Sequence, residues 1–277
     1  MFLITQFIGL AVVSSYSRTN LPYGMQPPQE IEPSKTLISI IMSFAIAITF
    51  ILILIKYKWK FFIRAWFFVV VLLALAIVFN AILKNCTNHS EIIAILFATP
   101  LAFIKIYRPN FLIHNLTEIL IYPGIAAVFV PILNWWTIIV LLILISIYDV
   151  WAVWHSGIMQ KMAKFQMKEL KILGGFMVPS ISKKVMAQIK KMKKSKSEKP
   201  KKIKISLAIL GGGDIVFPII AAGVFLREFG LMPALFVTLG AFSGLTYLFI
   251  ISKKKFYPAM PFITAGIFLG ILISLII

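Results

Sequence analysis

Nine apolar runs follow one another along the 277-residue chain, at 1–14, 36–55, 61–83, 91–105, 112–133, 135–155, 204–226, 230–251 and 258–277. Most approach the roughly 20 residues an α-helix needs to cross a hydrocarbon core. An open sheet leaves edge groups unpaired in lipid, so the pattern predicts an all-α polytopic membrane protein with nine transmembrane helices. The one long polar stretch is 157–203. There Ile158, Met162, Phe165 and Leu173 recur among lysines, which predicts a helix lying on the membrane surface. Gly174, Gly175 and Pro179 are expected to break it, and 190–202 (KKMKKSKSEKPKK) reads as a disordered basic linker. The chain is thus read as a single domain, 1–277, with six helices over 1–156, a connection over 157–203 and three helices over 204–277. The first run, MFLITQFIGLAVVSS, has the length of a signal peptide. It lacks a basic leading region and offers only a weak cleavage site, so a retained helix is expected.

Composition agrees. Hydrophobic residues make up 60% of the chain and charged residues 13%, and mean hydropathy is +0.96. A soluble domain carries about 25% charged residues. The net charge of +19 suggests nucleic acid, but its placement argues otherwise. Fifteen of the 28 basic residues fall between Lys161 and Lys204, in a connection, where contact with anionic lipid headgroups accounts for them. Lys56, Lys58, Lys60 and Arg64 flank the second connection, Lys105 and Arg108 mark the fourth, and Lys253, Lys254 and Lys255 make the eighth. The odd connections are poorer: Arg18 and Lys35, then Lys84, then none, then Arg227. Basic residues accumulate on the cytoplasmic side. The N-terminus and 157–203 are therefore expected in the cytoplasm and the C-terminus outside. Asn85-Cys86-Thr87 and Asn88-His89-Ser90 would face outward, and both match the N-glycosylation pattern. Cys86 is the single cysteine, and His89, His114 and His155 are scattered. An intrachain disulfide, a cysteine metal cluster, an HExxH site and a GxxxxGK[ST] loop are all excluded. No metal or other cofactor is expected.

Two aspartates occur in the whole chain, Asp149 and Asp214, each inside an apolar run. A carboxylate within a span costs roughly 2.5 kcal/mol or more on insertion scales, so it is kept there by function. With straight helices, Asp149 sits about 21 Å below the outer end of its run and Asp214 roughly 15 Å above the inner end of the next. That leaves about 6 Å of depth between them in a core of about 30 Å, so antiparallel neighbours can show both acids to one cavity. Gly211, Gly212 and Gly213 precede Asp214; three glycines inside a helix cost about 1 kcal/mol each. They read either as close helix packing or as accessible backbone beside the acid. Pro258, Ala259, Met260 and Pro261 open the last run, as a cap or as a stiff, non-helical site element. Tyr148 points about 100° from Asp149 on a helix, toward packing or toward a cleft. His114 and Glu118, one turn apart, read as an interfacial pair, with a pathway element as the alternative. Two carboxyls a few ångströms apart do not readily both ionise, so the pair holds one shared proton, as in aspartic proteases.

Tyr148-Asp149, Gly211-Gly212-Gly213-Asp214 and Pro258-Ala259-Met260 resemble the YD, GxGD and PAL motifs of the presenilin and signal peptide peptidase family. Their order, the nine runs and the long sixth connection are also similar, so the resemblance covers nearly the whole chain. Ser146-Ile147-Tyr148-Asp149 with Ala152-Val153 resembles presenilin, while Gly213-Asp214-Ile215-Val216 with Pro218 is closer to signal peptide peptidase. The resemblance implies a presenilin-like fold and an intramembrane aspartyl endopeptidase that cuts transmembrane-helix proteins, with Asp149 and Asp214 catalytic. It also implies that the Pro258–Pro261 region and the glycines shape the site. The orientation read from charge is the presenilin one. Met260 departs from the usual leucine, a swap that conserves volume. The small size suggests an archaeal-type enzyme without obligate accessory subunits. Two rivals use the same acids: a prepilin-type peptidase, and a proton-coupled transporter or cation leak. Transporters commonly show repeated halves, and no matching halves stand out in this sequence.

Overall fold

The computed structural model describes residues 1–17, 19–25, 33–57, 59–108, 110–156, 174–180, 206–252 and 257–276. Among these, the helices are α1 (Phe2–Tyr16), α2 (Pro33–Lys56), α3 (Lys60–Leu83), α4 (Ser90–Tyr107), α5 (Phe111–Phe129), α6 (Trp135–Trp151), α7 (Gly213–Phe229), α8 (Leu231–Ile251) and α9 (Met260–Ile276). A 3-10 turn, Val130–Ile132, ends α5, and a π turn, Ala152–Ser156, ends α6. Five described helical segments are long and apolar enough to cross a membrane: Lys60–Leu83, Ser90–Tyr107, Phe111–Ile132, Trp135–His155 and Leu231–Ile251. Phe2–Tyr16 and Met260–Ile276 are shorter apolar helices. The predicted surface helix around Ile158, Met162, Phe165 and Leu173 and the linker 190–202 lie outside the described residues.

The run 204–226 is not one helix. Ser206–Leu210 is a strand, β2, paired antiparallel with β1 (Phe176–Ser180) in the register Phe176↔Leu210 to Ser180↔Ser206. Helix α7 begins only at Gly213. A short apolar run carries no period by which strand and helix are told apart, so the expected helical start was wrong here. Pro179, expected to break a helix, stands inside β1 instead. Its lack of an N–H is tolerated on the edge that faces away from β2.

Helix α7 is the core of the fold. Ile215, Ile219, Ala221, Ala222 and Val224 are fully enclosed, packed by α1, α5, α6 and α8. At its far end the Arg227 guanidinium donates to the Val130 and Leu133 carbonyls and pairs with Glu228. Those carbonyls flank the 3-10 turn that follows α5, so the arginine ties α7 to the α5–α6 corner. Outward-facing Phe61, Ile250 and Ile276 are largely exposed, as lipid-facing positions require.

Helices α8 and α9 touch backbone to backbone. A methyl group on Gly240 would collide with the Gly266 carbonyl, one on Gly266 with Gly240, one on Gly244 with Phe262 and one on Gly270 with Phe236. Small residues at such crossings let dispersion and weak polar contacts replace the hydrophobic effect that lipid does not supply. Gly266→Leu should push the helices apart and cost about 1–3 kcal/mol. A thermal-shift scan in detergent reads this, and an unchanged midpoint would show that the close contact is dispensable.

Candidate active site

Asn134 and Thr137 start α6 with a reciprocal cap, each side chain bonding the other's backbone N–H. Asp149 is the fifteenth of the seventeen residues that follow. It is 8% exposed, and its Oδ2 accepts the Met260 N–H at 3.0 Å. The Ala259 backbone also lies close to the same carboxylate. The first turn of any helix leaves its N–H groups without internal partners, and the start of a helix favours negative charge. The proline-flanked opening of α9 therefore works through its amides. At this opening it is backbone N–H that faces the acid.

Asp214 is the second residue of α7, in its first turn. The Gly211 backbone lies close to its carboxyl. A Cβ on Gly211 would stand 3.0 Å from Asp214 Oδ2, and one on Gly212 would stand 2.9 Å from the Tyr122 hydroxyl. Gly211 and Gly212 thus lie in the turn between β2 and α7, where a side chain would crowd the Asp214 carboxyl and the Tyr122 hydroxyl. They are not the helix-interior residues that the sequence suggested, and Gly213 opens the helix. The Gln6 amide of α1 donates to the Ile215 carbonyl at 3.1 Å, fixing the turn after the acid.

Asp214 therefore sits at a helix start, and Asp149 in the last turn of α6 before the π turn. The end of α6 and the starts of α7 and α9 meet, and Asp214 lies within electrostatic reach of Asp149. The depth estimate from straight helices assumed a helix from 204, and β2 removes that assumption. Tyr148 is half-exposed on α6 with its ring 6.3 Å from that of Trp151. The tyrosine close to Asp214 is Tyr122 of α5. It is 5% exposed, and its hydroxyl lies among Glu118, Gly175 and Gly212. Nothing in the sequence around Tyr122 singled it out.

His114 and Glu118 are not an interfacial pair. Both are buried, and Glu118 bonds the Lys105 ammonium of α4 at 2.5 Å. His114 Nε2 stands 3.6 Å from the same carboxylate oxygen and donates to the Gly175 carbonyl at 2.8 Å. The Asn115 amide accepts the Met177 N–H and donates to the Met177 carbonyl, both at 3.0 Å. Asn85 and Asn88 lie in the exposed turn after α3.

Two crystal forms of a presenilin family intramembrane aspartate protease share this fold. One superposes with a TM-score of 0.62 at 20% identity, covering 99% of this chain and 93% of that one. The other gives 0.66 at 19% identity, covering 100% and 95%. Curated proteins give no match. The family model described as signal-peptide peptidase, presenilin aspartyl protease matches residues 1–277. With its apolar helices, this makes the chain an integral membrane protein that belongs to the signal-peptide peptidase and presenilin aspartyl protease family.

Proposed function

We propose that the chain is an intramembrane aspartyl endopeptidase in which Asp149 and Asp214 share one proton and activate one water. The observation that carries this is the bond from the Met260 N–H to Asp149 Oδ2, made beside Asp214. The bond links two of the three sequence motifs, and the electrostatic reach of Asp214 to Asp149 supports adding the third. The ionised acid takes a proton from water as the oxygen attacks a peptide carbonyl. The protonated acid gives its proton to the carbonyl oxygen. The tetrahedral intermediate then collapses: the C–N bond breaks as the acid that took the water proton gives it to the amine, and a hydroxyl proton of the intermediate returns to the other acid. Acid–base assistance of this kind contributes about 10²–10⁴-fold.

The substrate is a transmembrane helix that unwinds locally and adds as a strand to the hairpin. The register favours one edge. Met177 spends its N–H and carbonyl on Asn115, so the groups of Ile209 opposite it face away from β1, as do those of Leu207 opposite Pro179. Among the described residues no strand pairs with the outer edge of β2, and β2 leads directly to Asp214. Residues 1–277 act as one protease domain of nine spans without accessory subunits. The N-terminus and 157–203 are cytoplasmic, and the C-terminus is external.

The test is cleavage of a helical model substrate by the purified chain in detergent. Products cut inside the helix, and their loss on adding a transition-state analogue of aspartyl proteases, are expected. An intact substrate under conditions where the protein stays folded and binds that analogue would overturn the proposal.

A further inference from the structure

We propose that His114 and Asn115, seated on the buried Lys105–Glu118 pair, form a latch that fixes the β1–β2 hairpin and thereby positions Asp214 and the bond presented to it. The inference rests on the protease reading and names positioning residues for it. Neither side chain is offered as a catalytic group, since each acts through backbone.

Five polar residues are enclosed where α4 and α5 pack: Lys105, His114, Asn115, Thr117 and Glu118, none more than 6% exposed. A buried polar group costs free energy unless it is bonded, so such a cluster is not kept for packing alone. Its bonds run in one direction. Lys105 reaches Glu118 and Thr117 Oγ1, Glu118 faces His114, and His114 and Asn115 hold the backbone of Gly175 and Met177. Asn115 satisfies an N–H and a carbonyl of one residue at once, as a neighbouring strand would. Gly175 has φ of 104°, a conformation natural to glycine, and its Cβ position is blocked by the Leu210 carbonyl. The start of β1 is therefore pressed onto the end of β2, one residue before Gly211. From Gly211 the chain turns directly into Asp214. Phe176 backs the arrangement, fully buried with its ring 6.0 Å from Tyr122 and nearly perpendicular to it.

A hairpin held only by Phe176 keeps its place in the core but gains freedom along the strand direction. Because strand register decides which peptide bond faces the acids, loosening should change where the substrate is cut as well as how fast. A purely structural role for Asn115 would lower the amount of folded protein without moving the cut.

The experiment compares the full chain with Asn115→Leu, which keeps size and loses both bonds. His114→Leu and His114→Gln are added, glutamine retaining a donor for the Gly175 carbonyl. Cleavage of the helical model substrate is followed by mass spectrometry, and backbone exchange over 174–180 and 206–212 by hydrogen–deuterium exchange. Asn115→Leu is expected to lower kcat/KM by about 10- to 100-fold, the range expected for losing two hydrogen bonds, and to spread the cut over neighbouring bonds. Hairpin amides should exchange at least about tenfold faster while those of α8 and α9 do not change. His114→Leu should behave similarly and His114→Gln should recover most of the loss. If Asn115→Leu does not fold, the His114 pair carries the same comparison. Wild-type rate, cut sites and exchange in both leucine variants would overturn the latch and leave the protease reading standing. A wild type that exchanges slowly in the hairpin yet cuts nothing would remove the protease reading and the positioning role with it.

Discussion

Asp149→Ala and Asp214→Ala are each expected to abolish cleavage, with a fall on the order of 10⁴-fold in turnover. In the proposed mechanism each acid has a separate task, one taking the proton of water and the other supplying one to the carbonyl oxygen, so neither would substitute for the other. The folded state should survive both changes. Asp149 is held by the Met260 N–H at the start of α9, a group that water or a neighbouring carbonyl can satisfy. Asp214 stands in a first turn, with the Gly211 backbone close to its carboxyl. The measurement is product formation by each variant at matched amounts of folded protein, with thermal midpoints recorded in parallel. Turnover above a few per cent of wild type in either variant would remove the paired-acid mechanism.

Lys105→Met is expected to cost about 3–5 kcal/mol, because it leaves the Glu118 carboxylate buried without its cation. Both side chains are nearly inaccessible, 4% and 3% exposed, so solvent does not screen the loss. For a chain of this size that corresponds to a fall of about 10 °C in the thermal midpoint. The double change Lys105→Met with Glu118→Leu should recover much of the difference, since removing both partners of a buried pair is often neutral. A thermal-shift series on the three proteins checks this. A single variant as stable as wild type would mean that the pair carries no stability, and a double variant worse than the single would mean that Glu118 has a partner stronger than Lys105.

The aspartates were legible because the chain has two, and acids inside apolar runs are costly enough to be conspicuous. The helices were legible from run length, within a few residues at most ends. The hairpin was not. Ser206–Leu210 is short and apolar, so it merged with α7, and its partner Phe176–Ser180 lies in a lysine-rich stretch that looked extramembrane. The three glycines were noticed for the right reason, proximity to an acid, but assigned to a helix interior. Lys105 and Glu118 are thirteen residues apart on different helices, and pairing of that kind leaves no local signal. Asn115 acts through backbone contacts that only the folded chain creates, and folding alone brings Tyr122 beside Gly212.

The glycine crossing of α8 and α9 has a consequence for how a protein chain would reach the acids. Two helices joined along their backbones, with carbonyls where side chains would otherwise cushion sliding, travel as one rigid post. That post carries the amide that holds Asp149. A guest segment arriving from the bilayer therefore cannot be admitted by peeling α9 from α8 without loosening the grip on the acid, so the doorway belongs on a side of the molecule that this post does not support.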